Sequence, residues 1–443
     1  MMTYEAFRDA LFALALENGA QAETYCVEGD EFQVRIDAQE VDTYTVSRSR
    51  GLGLRVQKDG HDGYAYTEVF DEPETLFARA LDNASIISNT DDHPMNGPQT
   101  YSPVAEPENP TMALSEAEKI ELARALEREA LAADPKVRRV AYDAVSTSHE
   151  TVRIANTLGL CAEESSSLSY CYVSPVLEDG GEIHDDGAFY INADTLRVAD
   201  CAKEAVARAA AQFGASPVPQ GKYRILWQNE SLADLLGAFA PMFSADNVQR
   251  GLSPLRGREG EAVMDAAVTI VDDPLYPKYP RAFDAEGTPS VATRVVEAGK
   301  LTSLLHNLKT AKKAGVASTS NASRAGAASP VGVSPSQLYI VPGDKSFDEL
   351  VASLGDGLII RDISGLHAGV SAVSGDFSLI AKGALVENGR IVRAVEQITV
   401  SGSFLDMLSH VVAVGSDLKF ALPSGGVCGA PSILFEGLMV AGK

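Results

Sequence analysis

Zinc peptidase chemistry on a helix asks for two histidines one turn apart with a glutamate beside them, most simply as HExxH. The two imidazoles then share one ion, and the carboxylate activates a bound water. The only His-Glu pair here is His149-Glu150, which runs on as Thr151-Val152-Arg153-Ile154 with no second histidine within a turn or two. That stretch alternates as a strand does, so His149 reads as a surface histidine. His184-Asp185-Asp186 groups three possible ligands between Gly180-Gly181 and Gly187. A solvated turn accounts for it, because turns favour Gly and Asp on backbone grounds alone. There is no GxSxG nucleophile elbow and no P-loop, and Gly51-Leu52-Gly53 lacks both the third glycine and the following helix of a dinucleotide fingerprint. Cys428 lies in the Gly-rich run Ser424 to Ser432. A loop there could present a thiol, but no base adjoins it in sequence, and free cysteines are usually buried and inert. No catalytic residue and no metal ligand is assigned on these grounds.

The most unusual segment is Asp362-Ile363-Ser364-Gly365-Leu366-His367-Ala368-Gly369-Val370-Ser371, continuing to Ser378. A packed core does not demand such a mixture of glycine, hydroxyls, one histidine and one aspartate. It suits a backbone approached closely by another chain, with polar side chains arranged around it. Ser364, Gly365, His367, Gly369, Ser374, Gly375, Asp376 and Ser378 are therefore the candidate substrate- or partner-binding residues. The competing reading is a tight inter-strand loop in which Asp376 and the serines only cap turns.

The elements that must position these residues fall into two halves. In the first, Gln33–Ile36, Gly51–Val56 and Gly63–Tyr66 read as strands, followed by a helix from Glu72 to about Ser88. Thr151–Ile154, Ser167–Val173 and Gly187–Tyr190 repeat that order, followed by a helix from about Asp194 to Phe213. Each copy has a helix before it, at 4–18 and about 116–132, which makes an internal duplication possible. The proline-rich stretch 91–113 joins the copies over the surface. A second break, Gly214 to Gly221, marks a domain boundary, giving an N-terminal domain at 1–215 and a C-terminal domain at 220–443. The second half reads as strand-rich: Lys222–Gln228, a hairpin around Glu297-Ala298-Gly299, and a hairpin turning at Asn388-Gly389, a pair suited to a type I′ turn. Helices are expected at Ser231–Phe243, capped by Ser231, and around His306–Lys313. The fold class is α+β, with a mixed α/β N-terminal domain and a mainly antiparallel β C-terminal domain carrying a few helices.

With 443 residues the chain exceeds the about 250–300 residues of a single core, so two domains are expected. Its 61 acidic against 37 basic residues give a net charge of -24, which opposes contact with nucleic-acid phosphates and anionic lipid. The segment 4–18 is amphipathic, with Phe7, Leu11 and Leu14 on one face, and does not read as a signal peptide. No run of about 18 apolar residues suggests a membrane span. Five cysteines without a CxxC pair fit a reducing cytoplasm better than a disulfide framework.

Several of these motifs together resemble the TldD/PmbA (TldE) family. The strongest are Gly365-Leu366-His367-Ala368-Gly369-Val370, Ser374-Gly375-Asp376-Phe377-Ser378, and the Lys382-Gly383-Ala384 to Glu387-Asn388-Gly389 hairpin. Phe243-Ser244-Ala245, the Asp284–Pro289 turn, Leu308–Gly315, Gly402–Met407, Ala430–Leu434 and Ser47–Val56 match as well, so the resemblance spans nearly the whole chain. The resemblance implies a two-domain fold and a cytosolic metallopeptidase acting on unfolded peptides, built as a dimer of TldD-like and PmbA-like chains. In the family the TldD-like chain carries zinc on an HExxxH helix together with a cysteine near its C-terminus. This sequence has no HExxxH, and the ligand role is not carried onto Cys428, so the resemblance is to the PmbA-like partner. No cofactor is expected in this chain, and zinc is expected in a TldD-like partner. A homodimeric hydrolase with a site around His367 and Asp376, and a peptide-binding protein without catalysis, are the alternatives.

Overall fold

Two long antiparallel strands at the centre of the first half set its architecture. The computed structural model describes residues 2–86, 93–105, 107–192, 194–422 and 426–442. A first unit runs to Phe213, apart from residues 93 and 94, and also takes in Ala325–Pro330; a second unit holds the remainder.

In the first unit α1 (Tyr4–Glu17) precedes β1 (Gln21–Asp37), β2 (Glu40–Lys58), β3 (His61–Thr67) and α2 (Pro73–Ile86). Then follow α3 (Glu116–Ala133), β4 (Val137–Asn156), β5 (Cys161–Asp179), β6 (Glu182–Asp185), β7 (Ala188–Ile191) and α4 (Val198–Ala210). The sheet runs β3-β2-β1-β4-β5-β6, with β7 also beside β5, and every pairing is antiparallel. Outward from the central β1–β4 pair the order of elements is thus the same on both sides. Each side has its own core. Phe7, Leu11 and Phe77 from α1 and α2 pack on Leu52 and Leu54; Leu126 and Ala205 from α3 and α4 pack on Phe32, Val145 and Val173. The serine before α3, Ser115, closes a capping box with Glu118. The segment Ala325–Pro330 lies against β2 at Gly53, where a Cβ would stand 2.0 Å from the Ala327 carbonyl oxygen. Only glycine permits that approach.

The second unit begins with β8 (Gly221–Trp227), α5 (Asn229–Phe239), α6 (Ala245–Gln249), β9 (Ile270–Asp272), β10 (Thr293–Glu297), β11 (Lys300–Leu301) and α7 (Leu308–Ala314). Next come β12 (Ala322–Ser323), β13 (Gly332–Val333), β14 (Gln337–Ile340), α8 (Phe347–Leu354), β15 (Gly357–Ser364), α9 (Leu366–Gly369) and β16 (Val370–Ser371). The chain closes with β17 (Asp376–Glu387), β18 (Arg390–Ser403), α10 (Phe404–Leu408), β19 (Val411–Val414), β20 (Lys419–Phe420), β21 (Val427–Ala430) and β22 (Ile433–Ala441). Strands β15, β8, β22, β18 and β17 hydrogen-bond in that order, and β15 also pairs with β17, so the ring closes. A second sheet runs β11-β10-β9-β14-β21-β20. Among these pairings β15–β8 and β14–β21 are parallel and the others antiparallel within the two sheets. Trp227, Phe239, Phe377 and Phe404 fill the main core, with the Phe239 and Phe404 rings stacked at 4.4 Å.

The fold is α+β, as expected from the sequence, and the Asn388-Gly389 turn has positive φ at both residues, 51° and 70°. Some local expectations shift. The helix expected at Ser231–Phe243 starts earlier, at Asn229, and Ser231 lies in its first turn, donating to the Gln228 carbonyl rather than capping. The helix expected around His306–Lys313 begins at Leu308, with Asn307 and Thr310 forming its capping box. His184 sits on β6 rather than in a turn. Ser88, Ser424 and Gly425 lie outside the described residues.

Candidate functional site: a cavity beside α5

Helix α5 divides its residues between a core and a cavity. Leu232, Leu235, Leu236 and Phe239 recur at helical spacing and are buried. Ala233, Asp234, Gly237 and Ala238 line a cavity of about 510 Å³. The helix start has no side-chain cap from its own N-cap residue Gln228. Its first amides are met from the chain's far end instead. Asn229 N–H donates to Ser432 Oγ at 3.1 Å, while the Asn229 amide group donates to the Asp417 carbonyl at 2.7 Å. Asp417 in turn accepts from Ser432 N–H at 2.9 Å and Ser432 Oγ at 2.7 Å. A buried serine and one carboxylate thereby anchor α5 to the start of β22.

The remaining walls come from Val333, Ser334 and Pro335, from the α9–β16 segment through Leu366, His367, Val370 and Ala372, and from Cys428 on β21. The 333–335 wall is held from behind by buried Asp272, which accepts from Ser336 N–H at 2.8 Å and Asn321 Nδ2 at 2.6 Å. Four lining side chains are polar: Asp234, Ser334, His367 and Cys428. None of them has a side-chain hydrogen bond or ion pair among the described residues. Water reaches Asp234, which is an exposed residue. The walls around it nonetheless displace bulk water, and this desolvation, with like-charged Glu230 and Asp362, lifts its pKa to about 7. Accessible surface and enclosing protein describe one geometry, a carboxylate on the wall of a wet cavity. Burial, reinforced by Asp272 and Asp234, pushes the Cys428 thiol up to about 12. That thiol is protonated near neutrality, the reverse of what a nucleophile requires.

Of the eight residues singled out by sequence, His367 lines this cavity and the others do not. Gly365 takes φ 88° ahead of α9, and its carbonyl accepts from the N–H groups of Ala368 and Gly369. A Cβ on Gly369 would meet the Ser378 carbonyl at 2.3 Å, so the close approach inferred there is made by β17 of the same chain. Ser374 Oγ accepts from Asp376 N–H at 3.4 Å within a turn whose Gly375 has φ 86°. Ser364, Ser374, Asp376 and Ser378 are all exposed. Asp234 was not visible in the sequence, where a lone aspartate on an amphipathic helix reads as a solvated charge. The small residues Ala233, Gly237 and Ala238 beside it on one helical face were the available signal.

His149 lies on β4 and His184 on β6, away from α5 in sequence and in unit. Among the described residues no three His, Cys, Asp or Glu side chains are grouped closely enough to hold a metal ion.

Three family models cover the chain in succession: PmbA/TldA metallopeptidase domain 1 over residues 22–84, the central domain over 110–213 and the C-terminal domain over 220–442. A metalloprotease of Methanothermobacter thermautotrophicus is 29% identical over 395 residues, spanning 86% of this chain and 84% of the relative. Metalloprotease PmbA of Escherichia coli O157:H7 is 28% identical over 338 residues, spanning 74% and 70%. A solved Thermotoga maritima structure, described as a proposed modulator of a DNA gyrase, is 36% identical, covers 99% of this chain and 100% of its own, and superposes with a TM-score of 0.91. TldE from Thermococcus kodakarensis shares the fold, with a TM-score of 0.90 at 21% identity over 98% and 100% of the two chains. With models matched from residue 22 to residue 442 and a relative of known structure alike from end to end, the chain belongs to the PmbA/TldD metallopeptidase family.

Proposed function

We propose that this chain is the non-zinc, PmbA/TldE-like subunit of a cytoplasmic TldD/PmbA-type peptidase complex that acts on unfolded peptides. One observation carries the reading. The cavity-lining positions 233, 234 and 238 of α5 have the i, i+1, i+5 spacing of HExxxH, and they hold Ala, Asp and Ala. Two methyl groups cannot ligate an ion, and among the described residues no three His, Cys, Asp or Glu side chains are grouped closely enough to hold one. The residues present do not fit a zinc site, so no step of hydrolysis is routed through this chain. Its part is to complete and shape a cavity for a partner that holds the metal, and a homodimer is the alternative assembly. The excess of acidic side chains keeps nucleic acid out of this reading. No helix of the described residues is long and apolar enough to cross a membrane. A hydrolase built on His367 and Asp376 gains no support, because Asp376 does not line the cavity with His367.

The test is reconstitution with a TldD-like HExxxH chain. The expected outcome is co-purification of the two chains, and chelator-sensitive cleavage of an unstructured peptide by the mixture but not by this chain alone. One tightly held zinc in this chain after dialysis, or chelator-sensitive cleavage by it alone, would overturn the reading.

A further inference from the structure

Among the described residues, four polar side chains on the cavity beside α5 have no hydrogen bond or ion pair from the protein: the exposed Asp234 and His367, the half-buried Ser334 and the buried Cys428. Water meets the exposed Asp234 and His367, and a cavity walled mainly by apolar side chains with a few polar groups has the form of a small-molecule site, so a ligand that displaces this water finds polar partners there. Asp234, His367 and Cys428 are not grouped closely enough to hold a metal ion. The ligand must then be a molecule large enough to touch several walls, and about 510 Å³ is room for a small organic group.

Charge decides its sign. The carboxylates acting on Asp234 are Glu230 on α5 and Asp362 on β15, both of its own sign. On the packed neighbour β20, Lys419 is engaged with Glu230 at 2.8 Å. From α9 and β21 the cavity receives His367 and Cys428, neither of which pairs with Asp234. An anionic ligand would meet repulsion, and a neutral one would leave the carboxylate uncompensated in a partly dehydrated site. The other walls, Ala233, Ala238, Val333, Pro335, Leu366 and Val370, are apolar.

We propose that the α5 cavity binds a primary ammonium group on a short apolar stem, with Asp234 as its counter-ion. A peptide offers that chemistry in two places, the N-terminal amine and the lysine side chain. The choice of peptides as ligands rests on the peptide-handling function proposed above; the ammonium site itself rests on the cavity. Binding needs the carboxylate ionised and the amine protonated. Asp234 ionises above about 7. An α-amine is protonated below about 8 and a lysine below about 10. Affinity for an N-terminal amine therefore peaks in a narrow window near pH 7–8, whereas affinity for a lysine rises through pH 7 and holds to about pH 10.

Titration calorimetry on the isolated full-length chain tests this with three probes: Ala-Leu-Ala amide, its N-acetylated form, and N-acetyl-Ala-Lys-Ala amide. The expected result is binding of at least one amine-bearing probe, and binding of the amine-free probe at least about tenfold weaker. The two pH profiles tell the N-terminal source from the lysine source. Asp234→Asn should weaken the amine probe about tenfold and leave the amine-free probe unchanged. Equal binding of the amine-free probe, no binding of either amine probe, or a folded Asp234→Asn variant with wild-type affinity would each overturn the proposal. Should that variant not fold, the probe comparison on the wild-type chain decides alone. The partner chain is absent throughout. Amine binding without reconstituted cleavage keeps the site and removes the subunit role, and reconstituted cleavage without amine binding does the reverse.

Discussion

Asp234 is a carboxylate that folding makes harder to ionise. Its folded pKa, about 7, stands above the 3.8 of an unperturbed aspartate. Between those values the folded chain keeps a proton that the unfolded chain has lost, so stability falls as pH rises through that window and the penalty is complete above about 7. Asp234→Asn removes the penalty. We expect the variant to unfold at higher urea than the wild type at pH 8, with the difference closing at pH 4; a lower midpoint for the variant at pH 8 would contradict the sign. A residue that costs stability without a partner in the fold is a feature of functional sites rather than of scaffolds. Little of this was legible in the sequence. The histidine of the Gly365–Val370 motif was singled out and does line the cavity, but its sequence neighbours Ser374 and Asp376 are occupied with or exposed at a turn. Apart from the small residues on its helical face, Asp234 gave no local sign, because its character depends on walls contributed from Val333 onward.

At the scale of elements, α5 is held by its N-terminus. Asp417 accepts hydrogen bonds from Ser432 and Asn229, and Ser432 is fully buried. Asp417→Ala strands the Ser432 amide and hydroxyl and loosens Asn229. The expected cost is about 2 kcal/mol in urea unfolding, with weakened ammonium binding as α5 shifts; an unchanged midpoint would show that water replaces the carboxylate. Legibility varied among elements for a physical reason. Asn388-Gly389 was readable because positive φ at two successive residues restricts the choice of side chains. The strands of the first unit were read too short. β2 extends from Glu40 to Lys58, but residues 40–49 are all exposed, and a strand exposed on both faces carries no alternation of polar and apolar residues. The parallel pairs β15–β8 and β14–β21 join segments far apart in sequence, and no local pattern records such pairings.

For the whole molecule, the two compact units do not coincide with two uninterrupted stretches of chain. Ala325–Pro330 belongs to the first unit although it is encoded in the second half. Gly53→Ala puts a methyl where the Ala327 carbonyl stands. We expect that variant to be cleaved by trypsin after Arg324 faster than the wild type under native conditions. Equal cleavage would mean that β2 yields instead. The fold class was legible because the two halves differ in composition and periodicity, whereas this borrowed segment carries no mark of its destination.

The same segment bears on how the protein is made. The first unit's own strands and helices have all left the ribosome once Phe213 is clear, yet its last piece is still about a hundred residues from synthesis. At a translation rate of about 5–20 residues per second, that is a delay of roughly 5–20 s. Throughout it the face of β2 at Gly53 that Ala327 later covers stays bare. The nascent chain thus passes through an interval in which an incomplete first unit waits for its covering segment, a window in which chaperone contact competes with the native ending.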